Sequence, residues 1–239
     1  MAAASLVCVV RDAVEEALAL VLPTWCAGCD APDVALCAAC RGALAAEVRV
    51  TRADVGGVAV HSALVFDGVP ARVLRSFKED GRTGLARPLG AALRGAVQGA
   101  VHGAVEGALC GALAAAGGAV PVSPEPVVVP VPSSPAALRR RGYEVAGLIA
   151  RRGGLRPVAA LTTAGHADQR SLGRAERARN VAGTMRARGV RGVPVVVVDD
   201  VVTTGATLRE AVRALREAGA IVVAAATVAS TPMKSPSKP

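Results

Sequence analysis

The chain has 239 residues, enough for one domain with a small attachment, and its 52% hydrophobic content supports a core and excludes wholesale disorder. Aromatics make up only 2% (Trp25, Phe66, Phe77 and Tyr143), so Val, Leu and Ala must build the core, and single-strand recognition by base stacking lacks its platforms. The net charge of +9 is concentrated: Arg139 to Arg191 holds 13 Arg and no Lys against Glu144, Asp168 and Glu176, a +10 stretch that attracts a phosphorylated metabolite, nucleic acid or an acidic partner.

In chain order, Leu6, Val10, Val14, Ala17 and Leu18 fall on one face of a short amphipathic helix. Arg11, Asp12, Glu15 and Glu16 interrupt the run, so no secretory signal is expected. Four cysteines follow before residue 50. Val58 to Phe66 predicts a strand, Asp67-Gly68 a turn, and Val73, Leu74 and Phe77 a short helix stopped near Gly81. A long helix is expected from about Leu85. Within it Gly95, Gly99, Gly103, Gly107 and Gly111 recur every fourth residue, which permits close helix packing but weakens a helix in water. Gln98, His102 and Glu106 argue against a membrane span there, and a cytoplasmic protein is expected.

The second half alternates. Val127 to Val131 predicts a strand, Tyr143 to Arg151 a helix, Pro157 to Leu161 a short strand, and Gly165 to Gly173 a loop. Val193 to Val198 predicts a buried strand, Leu208 to Ala218 a helix with Gly219 at its end, and Ile221 to Val228 another strand. The expected fold class is α/β, a parallel sheet flanked by helices with a small N-terminal zinc-binding module. The expected division is 1–50 for the N-terminal helix and cysteine module, 51–229 for the α/β domain, and 230–239 for a disordered Ser/Pro/Lys tail.

Cys26-x-x-Cys29 and Cys37-x-x-Cys40 are two knuckles separated by seven residues. Four thiolates satisfy tetrahedral Zn²⁺ with no open position, which makes such a site structural. A module this small lacks a core, so metal would supply its folding energy. A thioredoxin-like redox motif would need only one such pair, and no βαβ unit surrounds either. Cys8 and Cys110 stand alone in helical stretches and are expected as small buried hydrophobes.

The sharpest signal is Val195 to Thr207, VVVVDDVVTTGAT. Its four valines drive a buried strand into Asp199 and Asp200, at the strand end where open α/β sheets bind ligands. Two carboxylates there can accept hydrogen bonds from the vicinal hydroxyls of a ribose. Thr203, Thr204, Gly205, Ala206 and Thr207 then open a helix, whose N–H groups and hydroxyls make a phosphate cradle. Neither G-x-G-x-x-G nor G-x-x-x-x-G-K-[ST] occurs.

This thirteen-residue string resembles the signature by which type I phosphoribosyltransferases bind 5-phosphoribosyl 1-diphosphate (PRPP). Around it stand the cysteine knuckles, Phe77-Lys78 ahead of Gly81, VPVPSSPAALRRRGY at Val129 to Tyr143, Asp168 to Leu172, Glu176-Arg177 and Asn180. In that order the pieces resemble the ComF family, phosphoribosyltransferase-like proteins linked to bacterial DNA uptake. The resemblance implies that 51–229 is a phosphoribosyltransferase-like domain. It implies catalytic roles for Asp199 and Asp200 and PRPP contacts from Val201, Val202, Thr203, Thr204, Gly205, Ala206 and Thr207. The VPVPSS strand end, Val129 to Ser134, and Arg139, Arg140 and Arg141 would face the diphosphate with Mg²⁺ between, and Gln169, Arg170 and Arg177 would belong to a mobile loop. Structural Zn²⁺ and PRPP-bound Mg²⁺ are the implied metals. The chain departs from the family at Glu144-Val145, where Asn-Gln is usual; a carboxylate there opposes anion binding unless it points away. Two functions remain open: transfer of a phosphoribosyl group to a base, or a non-catalytic adaptor in DNA uptake that touches single-stranded DNA or a competence partner protein.

Overall fold

The structure, a computed structural model, describes residues 24–45, 47–52, 54–114, 125–163 and 183–232. After the short helix α1 (Ala38–Gly42) come strands β1 (Arg49–Arg52) and β2 (Val60–Val65). Asp67 caps helix α2 (Gly68–Glu79), its carboxylate accepting the Gly68 N–H at 2.8 Å. Gly81 follows that helix at φ +67°, a conformation that suits glycine and turns the chain. Helix α3 (Ala86–Ala114) then runs for 29 residues. Leu89, Ala92, Leu93, Ala96, Val97 and Ala100 form its buried stripe at helical spacing. Among the described residues no helix is long and apolar enough to cross a membrane.

Strand β3 (Val127–Pro130) leads to helices α4 (Pro135–Arg141) and α5 (Val145–Arg152), then strands β4 (Leu161–Thr163) and β5 (Met185–Ala187). Strand β6 (Pro194–Val202), helix α6 (Ala206–Glu217) and strand β7 (Ile221–Ser230) complete the described chain. The main sheet runs β1-β2-β7-β6-β3. Its β2, β7, β6 and β3 pair in parallel, and β1 joins antiparallel with Arg49 opposite Ser62. Strands β4 and β5 form a separate antiparallel ribbon.

The run of four valines is explained by burial on both faces. Val196 and Val198 pack on the side of α2, α3 and α5, with Phe77, Leu89, Leu93 and Ile149. Val195 and Val197 pack on the side of α6, with Leu208, Val212 and Leu215. The cysteine knuckles are not set apart: Cys26, Ala27, Leu36, Cys40 and Leu44 share a buried cluster with Ala63, Leu74 and Phe77. Residues 1–50 and 51–229 therefore meet in one core wherever both are described.

Several expectations are corrected. Pro157 to Leu161 is not a strand. Pro157 makes a single bridge to Val128, the Val158 N–H donates to the Val128 carbonyl at 2.8 Å, and the paired strand begins at Leu161. Proline has no N–H for a ladder, which explains the delay. Residue 230 does not start a tail, because Ser230 closes β7 opposite Val65 and Val202. Helix α5 starts at Val145 rather than Tyr143, and α4 was not anticipated. The signal for α4 was present in Ser134-Pro135 and Gly142: the Ser134 hydroxyl accepts the Ala137 N–H, Pro135 sits in the first turn, and Gly142 ends the helix at φ +79°. The expected N-terminal helix with Cys8, the loop at 165–173 and most of the 230–239 tail lie outside the described residues.

Among the described glycines the tightest close approach lies outside the glycine repeat. Gly90 of α3 faces Gly153 at the end of α5, and a Cβ on Gly90 would fall 2.4 Å from the Gly153 nitrogen and 2.5 Å from the Ile149 oxygen. Those obstacles are backbone and cannot rotate away. Gly90→Ala should therefore cost about 1–3 kcal/mol, measured by denaturant unfolding. Gly84→Ala, with no atom within 4 Å of the added methyl, should change stability little. Equal effects from the two substitutions would refute the close-approach account.

Candidate functional site

Four pieces of chain converge at the carboxyl end of β6 on a cavity of about 140 Å³. Residues 131–134 after β3, Arg141 from α4, Val145 and Ala146 from α5, and Asp199, Asp200 and Thr207 form its wall. The Asp199 carboxylate accepts the Asp200 N–H at 2.8 Å, and the Asp200 carboxylate accepts the Val201 N–H at 2.6 Å. Each acid thus holds the backbone of the residue after it. Asp200 also pairs with Lys78 from the last turn of α2, Nζ to Oδ2 2.5 Å, in a largely buried contact. Burial, then the adjacent Asp200 charge, pushes the Asp199 carboxyl up to about 8.

Beyond the acids, Val202 is buried, Val201 packs against the core, and Thr203 and Thr204 are exposed on the turn. Gly205 takes φ +78° at the start of α6, and the Thr204 hydroxyl accepts the Ala206 N–H at 3.4 Å. Its N-cap is Gly205 and its first turn holds no acidic residue, so the first-turn N–H groups and the helix dipole favour an anion there.

The three candidate arginines separate. Arg141 lines the cavity and donates through Nε to the Lys78 carbonyl at 3.1 Å. Arg139 and Arg140 are exposed and do not line it. Gln169, Arg170 and Arg177 lie outside the described residues. Glu144 points into the loop after β3, where its carboxylate accepts the Ser133 N–H at 2.7 Å. That bond gives the carboxylate a bracing task on the loop. Tyr143 donates its hydroxyl to the Phe77 carbonyl, and the two rings lie 5.3 Å apart.

Ser133 and Ser134, expected at the diphosphate from the VPVPSS strand end, do line the cavity, whereas the ion pair of Lys78 and the bracing role of Glu144 were not assigned from the sequence. Lys78 was visible only as part of Phe77-Lys78; its reach to Asp200 depends on how α2 packs.

The four candidate zinc ligands do come together. All four Sγ atoms lie within 4.8 Å of one another, with Cys29 and Cys37 at 3.7 Å. Tetrahedral zinc with thiolates separates its sulfurs by about 3.8 Å, so the cluster fits the ion. The Cys26 sulfur accepts the Cys37 N–H at 3.3 Å and the Gly28 N–H at 3.5 Å. Burial alone would raise its thiol, yet these donors outweigh it and lower the group to about 6. Burial and the neighbouring cysteines push Cys40 up instead. Thiols so crowded cannot all ionise together without a cation, which a divalent ion supplies.

Comparison with known proteins bears on the pocket. Residues 136–238 match the model of the phosphoribosyl transferase domain family. The match covers less than half of the chain and takes in Asp199, Asp200 and the start of α6. A curated relative, orotate phosphoribosyltransferase 2 of Mesorhizobium japonicum, is 58% identical over 38 residues, 16% of this chain. That match spans about a fifth of the relative's length. A solved structure of the allosteric regulatory enzyme of purine biosynthesis aligns at 26% identity over 44% of this chain and 22% of its own, with a TM-score of 0.30.

Two outcomes follow from the geometry. A Cβ on Gly28 would lie 2.6 Å from the Cys40 sulfur and 2.9 Å from Val69 Cγ1. Gly28→Ala should release zinc faster to a colorimetric chelator, and chelation should lower the melting temperature of wild type. Zinc retention equal to wild type would show that the knuckle tolerates the methyl. The second outcome concerns Asp199. With its folded value about 8 against an ordinary 3.8, its stabilising contribution is complete below the lower value and is lost as pH rises through the higher. Asp199→Asn should therefore gain stability relative to wild type from about pH 5 to about pH 8. A pH-independent difference between the two melting curves would contradict that sign.

Proposed function

We propose that this protein is of ComF type and binds PRPP or a related ribose 5-phosphate ligand with Mg²⁺, transferring its phosphoribosyl group to a base. The observation that carries the reading is one small cavity walled by two adjacent carboxylates, the Ser133-Ser134 loop, Arg141 and the start of α6. Asp199 and Asp200 accept the ribose hydroxyls and face the positive charge that develops on the ring. The Thr203 to Thr207 turn holds the 5′-phosphate. Arg141 grips the diphosphate through its planar fork of donors.

The cavity wall is rich in oxygen donors and contains no thiol or imidazole, the donor chemistry that suits Mg²⁺. Ser133 and Ser134, with the diphosphate, would hold the ion, which neutralises the leaving group when bound. In the reaction a base nitrogen attacks the anomeric carbon. The carbon–oxygen bond to the diphosphate breaks, and its electron pair leaves on that oxygen. Bond breaking runs ahead of bond making, and the carboxylates stabilise the oxocarbenium-like charge that builds on the ring meanwhile.

A second reading, the non-catalytic adaptor, is favoured by Arg139 and Arg140. They stand exposed beside the cavity without entering it, and such a surface attracts single-stranded DNA or an acidic partner protein. Calorimetric titration of the zinc-loaded chain with PRPP and Mg²⁺ separates the readings. The transferase reading expects saturable binding that is lost in the double variant Asp199→Asn/Asp200→Asn. Salt-sensitive binding of a single-stranded oligonucleotide with no response to PRPP would replace it with the adaptor.

A further inference from the structure

The Lys78–Asp200 pair has no explanation in stability alone. Lys78 is 24% exposed and Asp200 13%, so both charges have left most of their water. Half-buried pairs of this kind often contribute little net stability, because desolvation offsets the attraction. Their position is more informative than their energy. A carboxylate in a wall that receives an anionic sugar repels its phosphates, and Lys78 neutralises the one on Asp200.

The backbone around Lys78 is fixed while its side chain is long and flexible. The Lys78 carbonyl accepts from Arg141 Nε, and the preceding Phe77 carbonyl accepts from the Tyr143 hydroxyl. These bonds tie the last turn of α2 to the segment that carries the Ser133–Arg141 wall. The cavity is about 140 Å³, well below the roughly 300–1,000 Å³ of ordinary ligand pockets. Lys78 is not itself part of the wall and reaches it through Asp200, so its contact with a ligand there requires the pair to part.

Resting on the ribose-diphosphate reading above, we infer that Lys78 is a diphosphate-contacting residue, paired with Asp200 in this structure and released to the ligand when ribose hydroxyls replace it on that carboxylate. The exchange is balanced in charge. Asp200 trades an ammonium for hydroxyl donors, and the ammonium moves to phosphate oxygens beside Arg141. Lysine suits the task as a compact charge on four rotatable bonds. Tyr143 and Arg141 hold the helix end still, so the side chain alone travels.

The test uses the full zinc-loaded chain and three probes: Mg²⁺ with inorganic diphosphate, ribose 5-phosphate alone, and Mg²⁺ with PRPP. Dissociation constants are measured for wild type, Lys78→Gln and Lys78→Arg, with melting temperatures beside them. Lys78→Gln should weaken diphosphate and PRPP binding about tenfold or more, leave ribose 5-phosphate within about twofold, and be largely rescued by Lys78→Arg. Undiminished diphosphate binding by Lys78→Gln overturns the inference while leaving the ribose-phosphate reading intact. Equal loss of all three probes, with a lowered melting temperature, overturns it in favour of a structural pair. A folded wild type that binds none of the probes overturns the underlying reading and Lys78's role with it.

Discussion

Burial of β6 from both sides sets where every group at the candidate site stands. A strand pinned by Val195 and Val197 on one face and Val196 and Val198 on the other cannot slip by one residue without moving all four into the wrong layer. The two residues that follow inherit this register. Asp200 continues the Val196–Val198 row and meets Lys78 from α2, while Asp199 continues the row that faces α6. Two acids at such close quarters resist ionising together, and the strained proton balance at Asp199 is the electrostatic consequence. The same register keeps Val131 hydrogen-bonded to the Val198 carbonyl, which brings the Ser133-Ser134 loop alongside the acids.

Helix α2 connects the two chemically distinctive parts of the molecule. Near its start, Val69 packs against the Gly28–Cys40 contact of the knuckle, and Arg72 reaches towards Asp30 at 3.8 Å. Just beyond its end, Arg82 donates to the Ala35 carbonyl at 3.0 Å. Its last turn delivers Lys78 to Asp200. A structural metal in the knuckle would therefore stiffen one side of this helix while Tyr143 and Arg141 hold the other. A tetrahedral ion held there by four sulfurs would keep no open position for chemistry.

Much of this arrangement was legible because it is local. The valine run, the acidic pair, the glycine that opens α6 and the two cysteine knuckles each state their geometry within a few residues. What was not legible depends on packing between distant segments. Nothing near Lys78 in sequence indicates that its partner is Asp200, and nothing near Glu144 indicates that it braces Ser133. The three consecutive arginines read as equivalent, yet a helix turns each by about 100°, so only Arg141 faces the cavity. The four-residue glycine repeat drew attention by its regularity, whereas the closest approach among the described glycines uses Gly90 and Gly153, which share no pattern. Short strands such as β5 carry too few residues to show an alternation at all.

The outer strands of the main sheet carry a further consequence. At one side lies β1, a four-residue strand with arginine at both ends. At the other lies β3, which ends in Pro130 and whose outward bonds are partly taken by the Pro157–Val158 segment. An uncovered β3 would be a valine-rich template for another chain to pair with. Proline at its end and proline laid along its flank deny a newcomer the regular row of donors and acceptors it would need. With a core made almost wholly of aliphatic residues, this chain depends on such blunted borders to avoid self-association into sheets during folding.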